Sequence, residues 1–232
     1  MKYDVVLWDV DGTLLDPLPA ERSAVRKALS VLGLGDCSEE ELDRYHTINW
    51  KWWTLAEEGK EKKDEIVWKR FEEFLETIGK DGAKAREMNG IYMESLGDGF
   101  QYNPGGFEIL SLFKGRVKQY VVTNGYRRSQ VNKIEKSGIC GMVDGVFISE
   151  DIGYDKPRKE FFDAVLHAIG DPQRERVLLV GDSLLTDMPG GINAGIDTCL
   201  YDRTRRKFGS GLAIDYEIDD LVALSSIVGV KG

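Results

Sequence analysis

The chain has 232 residues, 42% of them hydrophobic and 31% charged, and carries a formal net charge of −9. That length supports one large domain or a main domain with an insertion, and the balance of apolar and charged residues excludes a membrane-spanning or a disordered chain. The acidic excess repels polyanions and argues against a nucleic-acid polymer or an anionic membrane as partner, while a small phosphorylated molecule can still be held by a cation or a few local bases.

Residues 5–8 are continuously apolar and predict a strand buried on both faces. The opening run MKYDVVLWDVDGT turns acidic too soon for a signal sequence or a bilayer span, so the expected location is the cytoplasm. Directly after the strand stands Asp9-Val10-Asp11-Gly12-Thr13. In extended chain, residues two apart share a side, so both carboxylates can face one site at the strand's C-terminal end, the edge where open α/β sheets bind ligands. A solvated acidic turn is the plain alternative. A calcium loop fails, because the twelfth position counted from Asp9 is Ala20 rather than an acid.

From residue 17 to residue 101 the pattern changes. Amphipathic, charge-laced stretches predict helices near 20–32, 38–58, 62–78 and 83–95, the second opening on a capping box of Ser38 and Glu41. Gly97, Gly99, Pro104, Gly105 and Gly106 mark the return from this helical insertion. Strands are then predicted at 117–122, 146–148, 177–180 and 198–201, separated by helices such as 127–137 and 160–169, with a last helix at 218–227. The expected fold is a Rossmann-like parallel sheet of five or more strands with helices on both faces, formed by residues 1–16 and 102–232, plus an all-helical domain over 17–101.

Three further signals sit at strand ends. Thr123-Asn124-Gly125 follows one strand, Lys156-Pro157 lies a few residues past another, and Gly181-Asp182 to Asp187 follows a third. Asp182 and Asp187 can converge only if a loop separates them, since five residues on a continuous helix would set them well apart in angle. Each signal alone also reads as an ordinary turn, a solvated lysine or a helix cap. Together, each after a different strand, they suit a Mg²⁺ site: Asp9, Asp182 and Asp187 are hard oxygen ligands, and a hydroxyl and an ammonium are what phosphate oxygens need. Cys37, Cys140 and Cys199 are widely spaced with no CxxC pair, so neither a disulfide framework nor a zinc site is expected.

As a set, Asp9-Val-Asp11-Gly-Thr13, Thr123, Lys156 and Gly181-Asp182 to Asp187 closely resemble the four motifs of the haloacid dehalogenase-like hydrolase superfamily. The resemblance covers the whole sheet domain, with the helical segment in the place of the family's cap. It implies Asp9 as nucleophile, Asp11 as general acid and base, Thr123 and Lys156 as holders of the phosphoryl group, and Mg²⁺ bound by Asp9, the Asp11 backbone carbonyl and Asp182, with Asp187 nearby. Asp11 points to the phosphate-transferring branch, because the dehalogenases lack this second acid. Crowding by another carboxylate is expected to raise the pKa of Asp11. The stretches after Thr123 and Gly181 are similar to those of YjjG-type 5′-nucleotidases, which implies pyrimidine nucleoside monophosphates as substrates. Lys156-Pro157-Arg158-Lys159 departs from the acidic residue that commonly follows Lys-Pro in the family.

Substrate choice is expected in the cap, where Tyr45, Asn49 and Trp53 share one helix face and could stack on or hydrogen-bond a base. The competing reading is that this aromatic stripe packs the helical core. Asn124 and Arg127 are candidate phosphate contacts, and Arg127 equally suits an exposed helix position. Two enzyme alternatives share the same sheet site, a sugar-phosphate phosphatase and a phosphoglucomutase. A phosphoacceptor signalling switch is the alternative of another class, and the helical insertion and the second acid pair stand against it. The absence of GxxxxGK[ST] excludes a P-loop hydrolase.

Overall fold

The computed structural model describes residues 1–203 and 211–230. The chain divides into two compact units, residues 1–16 with 101–232 and residues 17–100.

The first unit is built on a six-stranded sheet in the order β3-β2-β1-β4-β5-β6, every neighbouring pair parallel. The strands are β1 (Val5–Trp8), β2 (Lys118–Thr123), β3 (Gly145–Ile148), β4 (Val177–Gly181), β5 (Asp197–Tyr201) and β6 (Tyr216–Ile218). All four residues of β1 are buried, as its apolar run requires of a strand between two neighbours. Its side chains alternate between two cores. Val6 and Trp8 pack with Leu178, Val180, Leu110 and Phe113, whereas Val5 and Leu7 pack with Leu179, Phe161 and Phe162. Each such side chain contributes roughly 1.5–3 kcal/mol on burial, so the sheet is held from both faces.

Six helices accompany these strands among the described residues. Of the four helices of the second unit, α1 (Pro17–Val31), α2 (Glu39–Glu57), α3 (Lys63–Thr77) and α4 (Ala85–Ser95), α1 begins three residues earlier than its pattern predicts. Pro17 and Pro19 fall in the first turn of α1, where no intrahelical N–H partner is required. Ser38 and Glu41 close the capping box of α2. The core of this unit gathers Leu29, Tyr45, Phe71, Phe74 and Tyr92. In the first unit follow α5 (Gly106–Phe113), α6 (Arg127–Lys136), α7 (Ser149–Ile152), α8 (Lys159–Ala168), α9 (Asp187–Ala194) and α10 (Leu224–Val228).

Two further elements differ from the sequence expectation. Helix α5 starts at the Pro-Gly-Gly turn itself, with Gly105 as its left-handed N-cap. The predicted helix over 218–227 instead splits into β6 at its start, a 3₁₀ turn at Leu221–Ala223, and the short α10, because Tyr216–Ile218 pairs with β5. No helix among the described residues is long and apolar enough to cross a membrane.

Candidate active site

The C-terminal ends of β1, β2 and β4 bring the motif residues together. Asp9 follows β1 and is 7% exposed. Its N–H donates to Val180 O at 2.9 Å, which continues the ladder one residue beyond the strand. The chain then turns: Leu15 N–H donates to Val10 O and Gly12 N–H to Leu15 O, both at 2.8 Å. Buried Asn103 ties this turn down by donating to Gly12 O at 3.0 Å and Thr13 O at 2.9 Å. Gly12 has φ +98°, and a Cβ there would lie 2.3 Å from an Asp182 carboxylate oxygen, so only glycine lets the loops after β1 and β4 approach this closely.

Lys156 is 3% exposed, and its ammonium is the hub of the site. It donates to Asp9 Oδ1 at 2.8 Å, Asp187 Oδ1 at 2.7 Å and Val122 O at 3.0 Å. Burial alone would lower its pKa, but the Asp187 and Asp9 charges outweigh that and hold it above its ordinary value. The Lys156–Pro157 peptide is cis. Asn124 braces the lysine's backbone at both ends, accepting from Lys156 N–H at 2.8 Å and donating to Lys156 O at 2.9 Å. Its side-chain amide thereby positions Lys156. Thr123 closes β2 and is buried, with its Oγ1 accepting from Gly125 N–H at 3.0 Å.

The loop after β4 does what the spacing of Asp182 and Asp187 requires. Ser183 N–H donates to Asp187 Oδ2 at 3.1 Å, and Ser183 Oγ accepts from Leu185 and Thr186 N–H, so the chain folds back before α9 begins. One carboxylate oxygen from each of Asp9, Asp182 and Asp187 then lies within 4.8 Å of the other two. Burial, ahead of the neighbouring charges, pushes Asp9 up to about 7, even against the pull of Lys156. Burial and the charges of Asp9 and Asp187 hold Asp182 well above the usual carboxylate range. Three converging oxygen donors whose repulsion a dication would relieve fit a hard divalent cation.

Asp11 departs from expectation. Burial would raise its pKa, but the Lys133 ammonium and hydrogen bonds from Lys133 and Gln130 outweigh it and hold the carboxyl below its usual value. Lys133 donates to Asp11 Oδ1, and Gln130 Nε2 donates to Oδ2 at 2.6 Å. Sequence reasoning missed both residues, and Asn103 with them. The available signal was the turn-apart spacing of Gln130 and Lys133 on the helix that follows Thr-Asn-Gly.

Arg127 NH1 pairs with exposed Asp151 of α7 at 2.5 Å. In the helical unit Tyr45 is 0% exposed and stacks on Phe71 with centroids 5.1 Å apart, so the packing reading holds and base contact by Tyr45 is corrected. Asn49 donates to Glu21 Oε2 at 2.7 Å and accepts from Arg70 NH1 at 2.5 Å, so its amide is engaged within the unit. Trp53 is half-buried, with the Arg70 guanidinium carbon 5.9 Å from its ring. His46 pairs with buried Glu21 at 2.9 Å and His167 with Asp171 at 3.1 Å.

Comparison with known proteins places these features in a family. The HAD-hydrolase YfnB of Bacillus subtilis is 34% identical over 99% of this chain and 97% of its own. Its crystal structure, with magnesium bound, superposes with a TM-score of 0.93 at 33% identity, covering 99% of this chain and 100% of that one. The pyrimidine 5′-nucleotidase YjjG of Escherichia coli is 28% identical over 98% of this chain and 99% of its own. The pyrimidine 5′-nucleotidase PynA of Streptococcus pneumoniae is 34% identical over 87% of this chain and 84% of its own. L-2-haloacid dehalogenase of Xanthobacter autotrophicus shares the fold, with a TM-score of 0.72 at 17% identity over 99% of this chain and 100% of that one. The haloacid dehalogenase-like hydrolase model matches residues 6–201, from β1 through β5 and so across every motif just described, and the chain belongs to that family of hydrolases.

Proposed function

We propose that the protein is a Mg²⁺-dependent phosphomonoester hydrolase that works through a phosphoaspartate on Asp9 and acts on pyrimidine nucleoside 5′-monophosphates. The observation that carries this reading is the buried Asp9 carboxylate, fixed through Oδ1 by Lys156 and faced by Asp182 and Asp187. The two nucleotidase relatives support the substrate class.

Asp9, Asp182, Asp187 and the Asp11 carbonyl would hold Mg²⁺, which when bound supplies positive charge against the carboxylates and the substrate phosphate. An Asp9 oxygen attacks phosphorus and the bond from phosphorus to the nucleoside oxygen breaks, giving an acyl phosphate. Lys133 and Gln130 hold Asp11 as a carboxylate in the substrate-free protein, so Asp11 takes up a proton as the substrate phosphate dianion arrives beside it and then gives that proton to the departing oxygen. It then takes a proton from the water that attacks phosphorus, which releases inorganic phosphate and restores Asp9. Thr123 and Lys156 hold the phosphoryl oxygens, and Asn124 keeps Lys156 in place. The helical unit of residues 17–100 serves as the cap, with Trp53 as the base-stacking residue.

The test is phosphate release from a panel of nucleoside monophosphates and sugar phosphates, with and without Mg²⁺, for the wild type and Asp9→Asn. The expected result is Mg²⁺-dependent turnover of pyrimidine nucleotides that Asp9→Asn abolishes. Preference for sugar phosphates would discard the nucleotide assignment. Activity in Asp9→Asn would discard the mechanism.

A further inference from the structure

Helix α6 carries Gln130 and Lys133, buried polar side chains that the family motifs do not include. Gln130 is 2% exposed and Lys133 is 6% exposed, although the helix is otherwise rich in charge. One turn apart, both end on the same carboxylate. Lys133 engages Asp11 Oδ1, and Gln130 Nε2 engages Oδ2 at 2.6 Å. Gln130 Oε1 is buried with no hydrogen-bond partner among the described residues. An amide that leaves its own acceptor unsatisfied is held by its neighbours in a costly place, which buried polar groups normally avoid.

The neighbour that permits this is Gly125. A Cβ at that position would lie 2.0 Å from Gln130 Nε2, so any side chain there would push the amide off Asp11. The glycine of Thr-Asn-Gly, which the sequence marks only as a turn, leaves the space through which Gln130 reaches the carboxylate. Three positions on the β2–α6 segment thus converge on one side chain of the β1 loop.

We propose that Gln130 and Lys133 are positioning residues that set the direction of the Asp11 carboxylate, with Gly125 providing the opening. This rests on the reading of Asp11 as proton donor and acceptor. Group orientation matters where a proton must pass between fixed partners. The loss therefore falls on substrates whose leaving oxygen needs a proton.

The test compares kcat/KM, which reports events through phosphoryl transfer, for uridine 5′-monophosphate and 2,4-dinitrophenyl phosphate. The dinitrophenolate departs without protonation. Gln130→Leu and Lys133→Met should each lower kcat/KM for the nucleotide about 30-fold, a fraction of the ~10²–10⁴ that general acid–base catalysis supplies. The loss for the dinitrophenyl ester should be at least tenfold smaller. Lys133→Arg should recover part of the nucleotide activity. Gly125→Ala should reproduce Gln130→Leu and add nothing to it in the double variant. Equal losses on both esters, or none, overturn the proposal. If the wild type cleaves neither ester, the phosphatase reading fails, and crystal structures of Gln130→Leu and Lys133→Met then decide the positioning claim. An Asp11 carboxylate turned from its wild-type direction supports it, and one that superposes overturns it.

Discussion

Asp182→Asn should make the metal-free protein more stable while removing its activity. Oxygens of Asp9, Asp182 and Asp187 lie within 4.8 Å of one another, and at that distance two unit charges repel by roughly 3.5 kcal/mol at an effective dielectric of about 20. Asp182 takes part in two of these repulsions, whereas Lys156 binds Asp9 and Asp187. Proton uptake already relieves part of the strain, because burial and the two neighbouring charges hold Asp182 well above the usual carboxylate range. A carboxyl with a raised folded-state pKa binds its proton more tightly folded than unfolded. Its contribution to stability therefore falls as pH rises from the unfolded value toward the folded one. Asparagine removes that loss and can still accept from Thr13 Oγ1, which now reaches Asp182 Oδ1 at 3.3 Å. At pH 7.5 in EDTA the expected gain is about 1–3 kcal/mol, read as a rise of roughly 2–4 °C in melting midpoint per kcal/mol. The gain should grow with pH. Mg²⁺ should then raise the wild-type midpoint and leave the variant's nearly unmoved, with phosphate release lost. A variant that melts below the wild type in EDTA, or a gain that shrinks with rising pH, would refute the reasoning.

Protons and the divalent ion should compete at this site, because burial pushes Asp9 up to about 7 and Asp182 is raised as well. Mg²⁺ affinity should tighten from pH 6 to pH 8 with proton release on binding, measured by calorimetry in buffers of different ionisation enthalpy; flat affinity would contradict it. Tyr45→Phe should leave KM for the nucleotide within threefold, and Tyr45→Ala should cost about 3–5 kcal/mol in denaturant unfolding, as expected for an aromatic ring packed against Phe71 and Phe74. Arg127→Ala should change kcat/KM less than about threefold in steady-state assays, since the guanidinium pairs with exposed Asp151 and surface pairs contribute about 0–1 kcal/mol. The Glu21 hydrogen bond raises the pKa of His46, so NMR should place its titration above 6.5. The stability this pair adds should be present below the unfolded histidine value and disappear as pH rises through the folded one.

The parts legible in the sequence are those in which local pattern and tertiary placement agree. The apolar runs of β1 and β4 end at acids, and parallel pairing puts those ends at one edge of the sheet. The Ser38–Glu41 capping box is a purely local device and reads directly. Strand β6 was not legible, because three residues in an acid-rich stretch become a strand only by pairing with β5. Helix α5 was hidden by Gly105 and Gly106, which read as a turn and instead form the helix entrance. Gln130 and Lys133 were hidden for a related reason: a polar helix looks solvated until the loop bearing Asp11 is laid against it. The aromatic stripe of α2 showed the correct face without saying what that face meets. For Tyr45 the answer is Phe71, Phe74 and Tyr92.

Covalent chemistry at Asp9 can be trapped by rapid acid quench of the wild-type protein during turnover of ³²P-labelled nucleotide, followed by borohydride reduction and peptide mapping. Label is expected on the peptide bearing Asp9, converted by borohydride to homoserine, and none in Asp9→Asn. Sustained turnover with no label on that peptide, or label on another residue, would contradict it.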